Sequence, residues 1–214
     1  MDVTLRREAE QQVRRHAGQL RRTVEGAVLA MSHIVEMRDP YTAEHQRRVA
    51  ELAVAIAAEI GATEAELDGL RLAALIHDIG KLVVPAEILS KPGRLSADEF
   101  ALIKEHSQAG YDIIHTVEFE RPVAEIVLQH HERPDGSGYP RGLKGAEILP
   151  ESRAMAVADV YEAMTSHRPY RAALPRESAL AELRDGAGDR YDPETVAACL
   201  RVLEQGFVFS SIQT

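Results

Sequence analysis

Along most of the chain the apolar residues recur at steps of three and four, the spacing that gathers them on one face of an α-helix. No stretch alternates apolar with polar for more than a few residues, as a half-buried strand would. Local signals mark where the helices begin and end. Asp39 and Pro40 read as an N-cap followed by proline in the first turn, opening a helix that runs to Gly61 with Val49, Leu52, Ile56 and Ile60 on its inner stripe. Thr63 and Glu66 form a capping box before a helix with Leu67, Leu70 and Ala74 inside, and Ser96 and Glu99 form another before Phe100 and Ile103. Pro122 opens a helix bearing Val123, Ile126 and Val127, and Pro150 one bearing Met155, Ala156 and Ala163. The pattern predicts an all-α fold, a bundle of amphipathic helices.

Each of these stripes carries a polar residue on its inner side. His45 takes the first inward position of its helix, His77 and Asp78 close the next one together, and His106 follows Ile103 one turn on. His130 shares the face of Ile126 and Val127, His131 falls four residues after Val127, and Asp159 sits amid an otherwise apolar surface. Ionisable groups are rarely buried unless they are paired or bound to metal. The His77-Asp78 dipeptide alone reads equally well as a buried histidine bonded to its neighbouring carboxylate or as two surface residues, and a single inward residue is most often a satisfied core histidine. Seven on five helices read differently, because neutral imidazole and carboxylate are the ligand set of divalent iron, manganese, zinc or nickel. With one carboxylate bridging, seven ligands exceed what one ion takes, so two metals are expected. Two ions about 3.5–4 Å apart can hold a bridging hydroxide as nucleophile and stabilise the attacking and leaving oxygens of an in-line displacement at phosphorus.

Composition narrows the class without changing it. A chain of 214 residues with 45% hydrophobic content suits one globular domain, and 5% aromatic content with no tryptophan suits packed helices rich in alanine and leucine. The formal charge of −9 argues against DNA or RNA as a partner, which would call for a basic face. The single cysteine, Cys199, follows the helix start at Asp192-Pro193 and has no partner for a disulfide, so a cytoplasmic setting is expected. No run of about twenty apolar residues suggests membrane insertion.

With these residues in place, the chain resembles the HD-GYP phosphodiesterases, a branch of the HD metal-dependent phosphohydrolases. The resemblance runs through His45-Gln-Arg-Arg48, His77-Asp78-Ile-Gly-Lys81, and His130-His131-Glu-Arg-Pro-Asp135-Gly-Ser-Gly138-Tyr139-Pro140. It continues through Ala158-Asp159-Val-Tyr-Glu-Ala-Met-Thr-Ser-His-Arg168-Pro-Tyr-Arg171, and covers about residues 28 to 206. It implies an HD-domain helical bundle that hydrolyses cyclic di-GMP to pGpG, and in some members on to GMP, in bacterial second-messenger signalling. It also implies a metal ligand set of His45, His77, Asp78, His106, His130, His131 and Asp159 with Asp78 as the bridge, loaded with iron or manganese. Lys81 is implied beside a substrate phosphate, and Arg168 and Arg171 as the cations that hold the phosphates, a task suited to the guanidinium fork. Arg48 reads as structural, pairing with a carboxylate beside the site. The Gly138-Tyr139-Pro140 loop is implied at the substrate mouth, with Tyr139 near a guanine, and as a docking point for diguanylate cyclase domains. Some members hold a third metal through a glutamate four residues before the first histidine. Here that residue is Tyr41, a poor ligand, which points to two metals and to pGpG as the main product.

The first thirty or so residues differ from the rest, being rich in Arg, Glu and Gln, and a seam of Val13, Ala17, Leu20, Val24, Ala27, Met31 and Ile34 runs through and just past them at alternating steps of four and three. Residues 1–30 read as an N-terminal helix ahead of a phosphohydrolase domain over 31–214. Either the helix pairs with a second copy as a coiled coil or it folds onto its own domain. Two other functions stay open. One is a different HD-type nucleotide phosphohydrolase, which would have no reason to keep the Gly-Tyr-Pro element. The other is an interaction module for cyclic di-GMP or a cyclase, expected where ligands have been lost, and none is missing here.

Overall fold

A computed structural model of the chain describes residues 3–36, 42–91, 93–167 and 172–210. Among the described residues the regular elements are helices joined by turns and loops, with isolated single-residue bridges in place of strands. In chain order the helices are α1 (Val3–Glu36), α2 (Thr42–Glu59), α3 (Glu64–Ile76), α4 (Ala86–Leu89), α5 (Ala97–Ile114), α6 (Val123–Gln129), α7 (Pro150–Thr165), α8 (Arg176–Asp185) and α9 (Pro193–Glu204). A 3₁₀ turn, Ile79–Val83, links α3 to α4, and a shorter one, Gly145–Glu147, precedes α7.

Helix ends fall where the local chemistry sets them. Thr63 and Ser96 each accept from the backbone N–H three residues on while Glu66 and Glu99 reach back to the cap, so both capping boxes form. Asp192 caps α9 by accepting from Thr195 N at 2.9 Å, with Pro193 in the first turn. Gly61 stops the chain after α2 at φ 91°, a conformation a side chain rarely adopts. Asp39 and Pro40 lie outside the described residues, and α2 is described from Thr42.

The core is centred on α2, which packs against α3, α7 and α9. Val49, Leu52 and Ile56 have no solvent exposure and meet Leu70, Ala73 and Ala74 of α3 and Ala154, Met155 and Ala158 of α7 in one hydrophobic cluster. Fully burying such an aliphatic side chain stabilises the fold by about 1.5–3 kcal/mol, so the three helices that carry His45, His77 and Asp159 are locked together. The turn Ile79–Val83 lies against α5, which also packs on α6. Gly80 makes that approach possible: a Cβ there would stand 1.9 Å from the His106 carbonyl oxygen and 2.5 Å from the Gly110 nitrogen.

The last third of α1 joins the core through Val28, Ser32 and Val35, and Ser32 Oγ hydrogen-bonds the buried Gln46 of α2. This is a different face from the heptad seam. Of the seam, Val13, Val24, Ala27, Met31 and Ile34 are exposed. No helix among the described residues is long and apolar enough to cross a membrane.

Candidate metal centre

The inward polar residues converge at one end of the bundle. Their ligand atoms form two groups, His106 with His130 and the half-buried His131, and the buried His45 with His77 and Asp78, each with its atoms within 4.8 Å of one another. Asp78 joins the two groups: its Oδ2 lies 3.5 Å from His77 Nε2 and its Oδ1 lies 3.7 Å from His106 Nε2. Asp159 completes the set from α7, with Oδ1 3.2 Å from His45 Nε2, and its side chain is the more open of the two aspartates.

Helix ends aim the imidazoles. His77 and His130 occupy the C-caps of α3 and α6, where Nδ1–H donates to the carbonyl three residues back, Ala74 at 2.7 Å and Val127 at 2.5 Å. His106, inside α5, donates in the same way to Ile103 at 2.6 Å. A carbonyl only accepts, so Nδ1 carries the proton in all three and Nε2 is left with its lone pair facing the centre. His45 is aimed by a carboxylate instead, its Nδ1 hydrogen-bonding Glu162 Oε2. Such partners fix ring orientation and tautomer in metal sites.

The electrostatics favour a cation. Burial, with His131 and His77 nearby, holds His130 well below the usual histidine range. Burial and the neighbouring His106 bring His131 down to about 3, and burial lowers His106 too. These rings are therefore neutral, as ligands must be. His106 Nε2 and His130 Nε2 face each other at 3.2 Å. With both Nδ1 protons already given to carbonyls, two lone pairs meet across that gap, an arrangement a cation between them would relieve. Burial opposes ionisation of Asp78, but the Lys81 ammonium beside it outweighs burial and holds the carboxylate well below the usual range, ionised. Burial likewise opposes charge on His45, yet the hydrogen bonds to Asp159 and Glu162 raise it to about 9, an attraction for positive charge that a metal ion would satisfy in place of the proton. The donor set thus fits divalent ions held by mixed nitrogen and oxygen ligands.

Lys81, one turn beyond Asp78, places Nζ 2.8 Å from Asp78 Oδ2. Tyr139 stands at the rim, its ring 4.8 Å from that of His131 and 6.4 Å from that of His106. Burial, then Asp159 and Asp78, push its phenol up, so it stays protonated. The Gly-Tyr-Pro loop is held by Glu132, which is buried and accepts from Arg141 N at 2.7 Å and Leu143 N at 2.9 Å. Tyr139 N donates to His131 O at 3.2 Å. Gly138 permits this packing, since a Cβ there would lie 2.4 Å from Arg133 N. Arg48 pairs as expected with carboxylates beside the site, Glu44 and, at 3.9 Å, Glu162. Arg168, Arg171 and Tyr41 lie outside the described residues. Glu162 and Glu132 escape a reading of the sequence alone. Glu162 follows Asp159 by three residues on the same helix, a spacing that signals a shared face, whereas nothing in the sequence distinguishes Glu132 from a loop carboxylate.

A helical domain with a histidine–aspartate cluster of this kind defines a metal-site domain, and the sequence matches the HD domain family model over residues 30–195. The chain belongs to the HD domain family. It is 43% identical over 176 residues to a cyclic di-GMP phosphodiesterase of Thermotoga maritima, covering 80% of this chain and 47% of that protein. It is 39% identical over 180 residues to 3'3'-cGAMP-specific phosphodiesterase 3 of Vibrio cholerae, covering 84% of this chain and 39% of that one. The crystal structure of a cyclic GMP-AMP specific phosphodiesterase of V. cholerae superposes with a TM-score of 0.64 at 20% identity, over 84% of this chain and 48% of that chain, a likeness of fold. The chain spans about half or less of the length of these relatives.

Proposed function

We propose that this domain is a metal-dependent phosphodiesterase that hydrolyses cyclic di-GMP to pGpG. The observation that carries this reading is the split of the ligand set into two groups of three with the Asp78 carboxylate reaching both, beside a loop with an intact Gly-Tyr-Pro element. His45, His77, His106, His130, His131, Asp78 and Asp159 would hold two divalent ions, iron or manganese. Bound there, such a pair supplies Lewis acidity toward phosphate oxygens and a more acidic water.

The chain's own residues supply the rest. The ammonium of Lys81, 2.8 Å from Asp78 Oδ2, would stand beside a phosphate oxygen of a substrate held at this centre. Arg168 and Arg171 would grip the phosphates bidentately. Glu162, by fixing His45, keeps Nε2 aimed inward. Tyr139 closes the mouth on the His106, His130 and His131 side, which limits water near the reacting phosphodiester. In the net reaction the hydroxyl of water joins phosphorus, the bond to a ribose 3′-oxygen breaks, and that oxygen leaves with a proton.

Around this centre, 31–214 forms the hydrolase unit and 1–30 a helical connection. The exposed seam of Val13, Val24, Met31 and Ile34 suits pairing with a second copy, and the exposed tip of the Gly138-Tyr139-Pro140 loop suits a diguanylate cyclase domain. The reading places the domain in the cytoplasm, where the dinucleotide is made. The test is anaerobic loading with iron(II) or manganese(II), incubation with cyclic di-GMP and chromatographic separation of the nucleotides. Conversion to pGpG supports the proposal, and an intact substrate with two bound metals defeats it.

A further inference from the structure

Phe100, on the first turns of α5, is 48% exposed although it is aromatic. Its ring meets Tyr139 edge to face, with centroids 6.5 Å apart and planes at 85°. A row of rings therefore runs outward from the ligand cluster: His130 to His131 at 4.0 Å, His131 to Tyr139 at 4.8 Å, Tyr139 to Phe100. One helical turn beyond Phe100, Lys104 sets its ammonium between the outer two rings, 5.5 Å from the Phe100 centroid and 5.8 Å from that of Tyr139. An exposed aromatic ring with a cation over it, beside the ligand cluster, has the chemistry of a base-binding platform, the base taking the ring's open face and edge. Ring stacking accepts any base, while a cation selects an edge that carries acceptors.

We infer that Phe100 and Lys104, with Tyr139, form a purine shelf that binds one base of the cyclic dinucleotide and favours guanine over adenine. This rests on the hydrolase reading and names its base preference. Guanine presents two adjacent acceptors, O6 and N7, to a lysine ammonium, whereas adenine replaces the first with an amino donor. Neither residue is a metal ligand, and both belong to α5, which His106 and the capping box at Ser96 already hold in place.

The probe is GMP against AMP, with binding to the metal-loaded full chain measured by calorimetry for the wild type, Phe100→Ala, Phe100→Tyr and Lys104→Met, and cyclic di-GMP turnover measured on the same preparations. The shelf predicts tighter binding of GMP than AMP by the wild type. Phe100→Ala should weaken both about tenfold, and Phe100→Tyr should restore them. Lys104→Met, which keeps the apolar stem and loses the charge, should bring GMP and AMP to near-equal affinity. Metal content should not move in any variant. Unchanged GMP affinity in Phe100→Ala, or no GMP binding by the wild type, overturns the shelf, even if cyclic di-GMP is hydrolysed with an unaltered KM. Shelf-dependent GMP binding without turnover of cyclic di-GMP keeps the shelf and removes the reaction.

Discussion

Asp78 Oδ1 lies 3.7 Å from His106 Nε2 although the two residues sit on separate elements, one at the start of the 3₁₀ turn after α3 and the other inside α5. The contact depends on how closely that turn approaches α5, and the approach depends on Gly80. Gly80→Ala would put a Cβ 1.9 Å from the His106 carbonyl oxygen, against backbone that cannot step aside. Overpacking of this kind costs about 1–3 kcal/mol. We expect denaturant unfolding to show that loss, and metal content to fall because the two ligand groups move apart.

Glu162→Gln should weaken metal binding without unfolding the protein. Glutamine can still accept from His45 Nδ1, but it lacks the charge that makes the imidazole a stronger ligand. Loss of a partner to a metal-bound histidine typically costs about 10–100-fold in affinity or activity. Competition against a chelating dye measures this directly, and Glu162→Ala should fall further than Glu162→Gln.

Glu132→Ala should act on the loop and leave the metals in place. It strips two backbone N–H groups, of Arg141 and Leu143, of their acceptor. Both donors are only partly buried, so the loss falls at the low end of what an unsatisfied donor costs, about 1 kcal/mol. A rise in KM for cyclic di-GMP with two metals still bound is the expected result, since Tyr139 rides on that loop.

Chelation should lower the melting temperature, and manganese(II) should restore it. A ligand that binds only the folded state stabilises by about 2.7 kcal/mol at a hundredfold excess over its Kd. The cause here is specific: without a cation, His106 and His130 oppose two lone pairs at 3.2 Å. Calorimetric scans of stripped and reloaded protein check this, with no dependence on turnover.

The sequence made the helices legible because their periodicity and caps are local. The boxes at Thr63 and Ser96, the proline starts at Pro150 and Pro193 and the stop at Gly61 all appear where short-range chemistry puts them. The seven inward residues were legible for the same reason, since each helix face is a local property. Grouping them was not. Which histidines share a group, and that Asp78 reaches both, depends on how α3, α5 and α6 cross. The face that α1 buries also escaped: the seam from Val13 to Ile34 is the more regular apolar pattern, yet Val28, Ser32 and Val35 are the residues in the core. A hydroxyl on that face, Ser32, is satisfied by Gln46, a pairing 14 residues apart that periodicity does not reveal.

The central claim is that Asp78 joins two metal ions into one hydrolytic centre, and it is tested most directly by comparing wild type and Asp78→Ala, each loaded anaerobically with manganese(II) or iron(II), for metals per chain and for conversion of cyclic di-GMP to pGpG. The account predicts about two metals and turnover in the wild type, with metal lost and turnover abolished in the variant. Full turnover by Asp78→Ala, or a wild type that binds no metal, would contradict it.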